Sequence, residues 1–134
     1  LELQPFLVAR TLLFALGLRF RLHARGLPGS PDLVFQKYRA VVFVHGCFWH
    51  RHPGCRFTTV PKNNAEFWAN KFSANVKRDQ VAVGRLHELG WRVAVVWECA
   101  VRASPQDAAL LLRSWLRSGQ TSDIAIGGAD VDRP

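Results

Sequence analysis

Three segments of the chain have the apolar pattern of helices, and each ends at a glycine. These predicted helices cover residues 3–16, 65–89 and 105–118. Gly17, Gly90 and Gly119 follow them, where a left-handed C-terminal cap is expected. Ser104 and Pro105 precede the third helix as an N-cap residue and a first helical residue, which resembles a capping box.

Four short segments between the helices have the pattern of strands or extended chain. They cover residues 19–25, 33–35, 40–44 and 91–97. The runs 40–44 and 91–97 are unbroken and apolar, which is typical of buried central strands. The order of elements predicts one α/β domain over residues 1–134, with a small mixed sheet flanked by helices. We expect residues 120–134 to form a flexible tail, because they are small and polar.

The charge of the chain favours a polyanionic partner. Lys and Arg number 18 against 10 Asp and Glu, for a formal charge of +8 and a pI of about 10.5. Phosphate contacts of such a surface release counterions, which favours nucleic acid binding, although a basic surface also serves solubility. No apolar run reaches the roughly 18 residues of a membrane span, and no secretory leader is visible. We therefore expect a cytoplasmic protein with no membrane partner.

A cluster of cysteines and a histidine predicts a zinc site. Cys47, His52 and Cys55 lie in the long loop 45–64, and Cys99 follows the strand that ends at Trp97. Structural zinc sites take four tetrahedral Cys or His ligands, and these four use all three cysteines. The metal would hold a loop that has little regular structure of its own. Two neighbouring histidines, at positions 45 and 50, are alternative ligands.

Asp79 lies in the middle of the apolar face of the second predicted helix. A carboxylate facing the core is costly unless it is paired or bound. The partner is either a histidine or metal of a functional site, or a structural salt bridge. On an adjacent face Lys71, Arg78 and Arg85 recur every seven residues, as a phosphate-binding ridge or as a solvated basic surface.

The loop between the predicted strands and the long helix carries candidate catalytic groups. Asp32 enters one strand, and His45 follows the neighbouring strand, a layout found in restriction-type nucleases that bind Mg²⁺ through a carboxylate and a carbonyl. His45 and His50 could accept a proton from water at neutral pH, although each alone is more often structural. Between them, Phe48 and Trp49 are either a loop anchor or an aromatic wedge for bases.

Six sequence strings resemble the Vsr (very short patch repair) endonucleases. They are PGSPD at 28–32, VFVHGCFWH at 42–50, EFW at 66–68, NVKRD at 75–79, LGWRV at 89–93 and WEC at 97–99. The resemblance covers about residues 12–102 and implies a restriction-endonuclease-like fold with a structural zinc site. It implies Mg²⁺-dependent nicking 5′ of the thymine in T:G mismatches, which arise by deamination of 5-methylcytosine.

The resemblance also implies roles for individual residues. Asp32 would bind Mg²⁺ by its carboxylate and Val44 by its backbone carbonyl; His45 would position the water at the metal. His50 would be the general base, and Asp79 would orient a catalytic histidine. The implied zinc ligands and DNA-binding residues are the two sets already described: Cys47, His52, Cys55 and Cys99 for zinc, and Phe48, Trp49, Lys71, Arg78 and Arg85 for DNA.

Several positions depart from the family pattern. Some relatives have Thr where Val44 stands, and the spacing from His52 to Cys55 is one residue longer here. The family has a metal-assisting glutamate in the first helix, where this chain has Phe6, with Glu2 one turn away. The sequence starts at Leu1, so we expect the family's N-terminal DNA-gripping arm to be missing.

The resemblance implies a monomeric protein whose partners are mismatched double-stranded DNA and the mismatch-repair protein MutL, acting at the nucleoid. Two other functions fit the same residues. One is a restriction-type or mobile-element nuclease of the same fold with another target. The other is a zinc-stabilised DNA-binding module without catalysis.

Overall fold

The computed structural model describes residues 3–131, which form a five-stranded mixed sheet with helices on both faces. The helices are α1 (Leu3–Ala15), α2 (Ala65–Glu88), α3 (Glu98–Ala103), α4 (Pro105–Ser118) and α5 (Gly128–Val131). The strands are β1 (Arg21–Leu22), β2 (Leu33–Phe35), β3 (Ala40–His45), β4 (Arg92–Trp97) and β5 (Ile124–Ile126). This architecture confirms the predicted α/β class. Glu2, one turn from the position of the family's metal-assisting glutamate, lies outside the described residues.

The sheet has the strand order β1-β2-β3-β4-β5, with antiparallel and parallel halves. β1, β2 and β3 pair antiparallel, and β3, β4 and β5 pair parallel. The long helix α2 is the crossover that parallel strands require between β3 and β4. In the β3–β4 register His45 is opposite Trp97, so the carboxyl ends of the two central strands lie side by side.

Alternate residues of the central strands enter two separate cores. On one face Val42 and Val96 pack with α1, α3, α4 and α5 around Leu112. On the other face Val41 and Val93 pack against α2. Because helices cover both faces of the sheet, the residues of the central strands are apolar whichever face they point to. This explains the unbroken apolar runs in the sequence.

The predicted helix ends are found close to their predicted positions. Gly17 and Gly119 adopt left-handed φ angles of 87° and 73° after α1 and α4. The Ser104 hydroxyl accepts a hydrogen bond from the Asp107 amide, as an N-cap residue should. Phe6 of α1 is buried, and its ring lies 5.0 Å from that of His23.

The prediction of a flexible tail is wrong for residues 124–131. β5 pairs parallel with β4, and the side chain of Ile126 is 1% exposed. The Asp123 carboxylate accepts hydrogen bonds from the Val93 amide at 3.0 Å and from His87 Nε2 at 2.7 Å. These long-range contacts order a segment whose own composition is polar. Among residues 3–131, no helix is both long enough and apolar enough to span a bilayer.

Gly29 holds the loop before β2 against α2. Its φ is +74°, and a Cβ built there would lie 2.8 Å from Ala82 Cβ and 3.2 Å from the Phe43 ring. Both neighbours are buried, so neither can move without disturbing the α2 interface. The loop therefore approaches α2 closely only because residue 29 has no side chain.

We expect Gly29→Ala to lower the free energy of unfolding by about 2–4 kcal/mol, from left-handed strain and overpacking. Gly26→Ala is the matched control, because a Cβ there meets nothing within 4 Å and its φ lies outside the positive range. Urea denaturation of both variants measures the difference. Equal effects at the two glycines would contradict the close approach at Gly29.

Candidate active site and metal centre

Asp32 and the end of β3 form the first part of the candidate site. The Val44 amide donates a 2.7 Å hydrogen bond to Asp32 Oδ2. The antiparallel register, with Leu33 opposite Val42, brings these residues of β2 and β3 together. Burial raises the pKa of Asp32 above its usual value, while the Val44 amide and two histidines, His23 and His50, act in the opposite direction.

His45, His50 and Asp79 form the second part. The imidazole rings of His45 and His50 stack at 3.8 Å between centroids with an interplanar angle of 5°. His50 Nδ1 lies 2.7 Å from Asp79 Oδ2. The carboxylate on the apolar face of α2 therefore has a histidine partner, which is the first of the two alternatives left open by the sequence.

The two histidines differ in environment. His45 is 8% exposed, whereas the side chain of His50 is 30% exposed. Burial and the neighbouring His50 lower the pKa of His45 to about 4, although Asp79 raises it. His45 is therefore neutral at physiological pH. A neutral ring can stack on His50 without repelling it when His50 is protonated.

These groups line one cleft between β3 and α2. The cleft has a volume of about 210 Å³ and contains Asp32, Val44, both histidines and Asp79. Arg78 lines the same cleft from α2, on the turn that carries Asp79. A cationic side chain beside a carboxylate and two histidines suits a phosphate diester, because it can offset the charge of the bound phosphate.

The four predicted zinc ligands converge at a separate site. The ligand atoms of Cys47, His52, Cys55 and Cys99 lie within 4.8 Å of one another. His52 Nδ1 is 3.7 Å from Cys47 Sγ and 3.4 Å from Cys99 Sγ. Ligands of a tetrahedral zinc ion are separated by about 3.5 Å, given its usual bond lengths. The cluster fits a metal ion. His45 and His50, the alternative ligands, lie in the cleft between β3 and α2 instead.

Backbone groups around this cluster also suit thiolate ligands. The Gly128 amide donates to Cys99 Sγ at 3.1 Å, and the Cys47 amide donates to Glu98 Oε1 at 3.3 Å. A Cβ on Gly127 would lie 3.0 Å from the His52 ring. Burial raises the pKa of the Cys47 and Cys99 thiols, so a bound cation is what would favour their thiolate forms.

Phe48 and Trp49 belong to a larger aromatic cluster with α2. The Phe48 ring lies 5.0 Å from Trp49 and 5.1 Å from Phe72. Trp49 also lies 6.0 Å from Trp68 of α2. Trp68 is only half-buried, so it shares the surface of the aromatic pair. Its aromatic neighbour Phe67 is 60% exposed.

Arg51 fixes this cluster to the loop. Its guanidinium lies 4.0 Å from the Phe72 ring centroid and donates to the carbonyls of Phe48 at 3.2 Å and Thr59 at 2.9 Å. The residue has a φ of +54°, a strained conformation for a side chain of this size. Sequence patterning gave no indication of this role.

Lys71, Arg78 and Arg85 are all exposed on α2, as the predicted ridge requires. Of these three residues, only Arg78 lines the cleft between β3 and α2. It donates to Asn75 Oδ1 at 3.2 Å, and Asn75 Nδ2 donates to the Trp49 carbonyl at 3.3 Å. The cleft and the aromatic cluster are thus connected through one turn of α2.

Comparisons with known proteins support the same chemistry. The sequence model of the family described as DNA mismatch endonuclease Vsr matches residues 2–56. The chain is 52% identical over 96 residues to the type II nicking enzyme V.XorIIP of Xanthomonas oryzae pv. oryzae, covering 72% of this chain and 70% of that protein. It is 48% identical over 110 residues to the DNA mismatch endonuclease Vsr of Escherichia coli, covering 79% and 70%.

A third relative is the type II nicking enzyme V.NmeAIP of Neisseria meningitidis, at 41% identity over 101 residues, covering 75% of this chain and 71% of that protein. Each alignment extends well beyond residue 56 and covers more than two thirds of the relative. The chain is a DNA endonuclease, and it belongs to the Vsr family of DNA mismatch endonucleases.

Proposed function

We propose that this endonuclease nicks DNA 5′ of the thymine in T:G mismatches, in a Mg²⁺-dependent reaction that repairs deaminated 5-methylcytosine. The observation that carries the proposal is the convergence of Asp32, His45, His50 and Asp79 in one cleft beside an aromatic cluster. Its DNA substrate would be found at the nucleoid, in the cytoplasm.

Asp32 and Val44 would hold the magnesium ion. The Val44 amide fixes Asp32 Oδ2, so the carboxylate has a defined orientation in the cleft. Burial disfavours the free anion, and a cation at Asp32 would offset that cost. Carboxylate and carbonyl oxygens are the hard ligands that Mg²⁺ prefers. When bound, the ion would polarise the scissile phosphate and stabilise charge on the leaving oxygen.

His50 is the proposed general base. With Nδ1–H donated to Asp79, the lone pair of His50 is on Nε2, which can take a proton from an attacking water. Asp79 then stabilises the imidazolium that forms. His45 remains neutral and stacks on His50, which holds that ring in its plane. Arg78 is suited to bind the phosphate at the same cleft.

The four-ligand cluster is proposed to bind zinc as a structural ion. Three ligands come from nine consecutive residues of one loop, and Cys99 comes from α3. Such an ion would fix the loop that carries His50 and the aromatic pair to the end of β4. The metal would therefore keep the proposed base, His50, and the aromatic side chains at fixed positions relative to one another.

Phe48 and Trp49 are the proposed mismatch-sensing residues, with Trp68 beside them. A T:G pair is less stable than a matched pair, so separating its stacked neighbours costs less. Aromatic rings inserted at that step would convert the difference into selectivity. The basic residues Lys71 and Arg85 would bind the backbone without reading the mismatch.

The experiment that tests this function is single-turnover nicking of otherwise identical T:G and T:A duplexes with and without Mg²⁺. We expect nicking of the T:G strand only with Mg²⁺, and a loss of about 100-fold or more in Asp32→Asn with duplex binding retained. Asp107→Asn, an exposed carboxylate on α4, is the control. Equal nicking of both duplexes would favour a restriction-type target, and binding without nicking would favour a non-catalytic module.

We expect purified protein to contain one zinc ion per chain, because four ligand atoms converge. Cys99→Ser should lose the metal and lower the unfolding midpoint, whereas Arg56→Ala, an exposed neighbour of Cys55, should retain both. Metal analysis and thermal unfolding check this. A wild-type protein without metal that is equally stable in chelator would refute the zinc assignment.

We expect Phe48→Ala and Trp49→Ala to narrow the T:G to T:A rate ratio more than they weaken non-specific binding. Lys71→Ala and Arg85→Ala should do the opposite, reducing the salt dependence of binding while keeping the ratio. Single-turnover rates at several salt concentrations separate the two effects. If the aromatic variants retain the full ratio, the pair is a loop anchor and does not sense the mismatch.

A further inference from the structure

Trp97 lies between the metal cluster and the catalytic cleft. It is the last residue of β4 and pairs with His45, the last residue of β3. The His52 imidazole stacks on the indole at 4.2 Å with an interplanar angle of 9°. The His45 ring also contacts the indole, at 5.3 Å between centroids and an interplanar angle of 70°. His45 in turn stacks on His50.

The four rings therefore form a continuous column, His52–Trp97–His45–His50, which we call the ring column. One end is a ligand of the metal cluster, and the other end is the histidine paired with Asp79. Adjacent centroids are separated by 4.2, 5.3 and 3.8 Å, all within the range of direct aromatic contact.

The indole also borders open space. Trp97 lines a cavity of about 770 Å³ beside the metal cluster, and it lines a groove of about 390 Å³ beside His45 and His50. It is half-buried. With open space beside it, the indole is held mainly by the rings that it contacts. The indole is in turn one of three rings packed against His45, together with Phe43 and His50.

We propose that Trp97 is a positioning residue, through which the metal-held ring of His52 fixes the ring plane of His45 in the catalytic cleft. The structural part of this inference stands on the ring contacts alone. Its consequence for catalysis rests on the proposed roles of His45 and His50. A displaced His45 would let the His50 ring leave the plane in which it faces Asp79 and the cleft.

The test compares Trp97→Leu and Trp97→Phe with Trp91→Leu. Phe keeps a flat ring between the histidines, and Leu fills space without one. Trp91 is a buried indole at the opposite end of β4, contacted by Arg39 rather than by the ring column, so its loss controls for general destabilisation. For each folded, metal-loaded protein, NMR records the nuclear Overhauser contacts between the ring protons of His45 and His50, and metal content and steady-state nicking kinetics are measured at one pH.

We expect Trp97→Leu to retain the metal, to weaken the Overhauser contacts between the two histidine rings, and to lower kcat by about 10- to 100-fold with little change in KM. Trp97→Phe should recover most of the rate and of the ring contacts. Trp91→Leu should leave the ring contacts and kcat near wild type. Unchanged ring contacts in Trp97→Leu, or an equal loss in Trp91→Leu, would overturn the proposal.

The variant His52→Cys tests the imidazole ring of His52 separately from the metal, because it removes the ring and keeps a metal ligand at that position. Because His52 faces the cysteines with Nδ1, the nitrogen nearer the backbone, a cysteine can replace it in a Cys₄ zinc site. We expect this variant to keep its metal yet to weaken the His45–His50 ring contacts as Trp97→Leu does. Retained metal with unchanged ring contacts would overturn the coupling. Weakened ring contacts with unchanged kcat would support the coupling and instead reject the catalytic role of His45.

Discussion

The parallel pairing of β3 with β4 is the constraint on which both sites depend. It places His45 opposite Trp97, so the chain leaves both strands at one edge of the sheet. From the first strand it enters the loop that carries His50 and three of the four proposed metal ligands, and from the second it enters α3 with the fourth, Cys99. The crossover between them, α2, returns across the sheet with Asp79 facing that same edge. A different pairing would separate all of these groups.

The loop after β3 directs neighbouring side chains to different sites, although it has almost no regular structure. Within six residues, Cys47 and His52 face the metal cluster, His50 faces Asp79, and Phe48 and Trp49 face α2. Successive side chains can point in such different directions because the backbone departs from any repeating conformation. That departure includes a left-handed, non-glycine residue at position 51. The strain is balanced by cation–π and carbonyl contacts of its guanidinium.

The features that were predictable from sequence are those governed by local chemistry. The apolar runs of β3 and β4, the N-cap at Ser104 and the metal-ligand spacing depend on neighbouring residues, and the structure has them as expected. β5 was missed because its three residues are ordered by pairing with β4 and by the distant contacts of Asp123. Local sequence carries no information about such partners.

Within the candidate site, too, the local sequence did not identify the distant partners of a residue. The position of Asp79 on an apolar face indicated a polar partner, but only the fold shows that this partner is His50. The half-buried state of Trp68 was equally invisible, because helical periodicity places a residue on a face without showing what covers it.

The contact between the Gly128 amide and Cys99 has a consequence for the order in which this protein can mature during synthesis. Three of the proposed ligands leave the ribosome together, whereas Cys99 follows 44 positions after Cys55, and residue 128 follows 29 positions later still. A nascent chain can therefore offer an ion only an open, three-ligand site until α2 and β4 have been translated. Secure retention of the ion then coincides with completion of the sheet, since domains fold as units once their last strand is available.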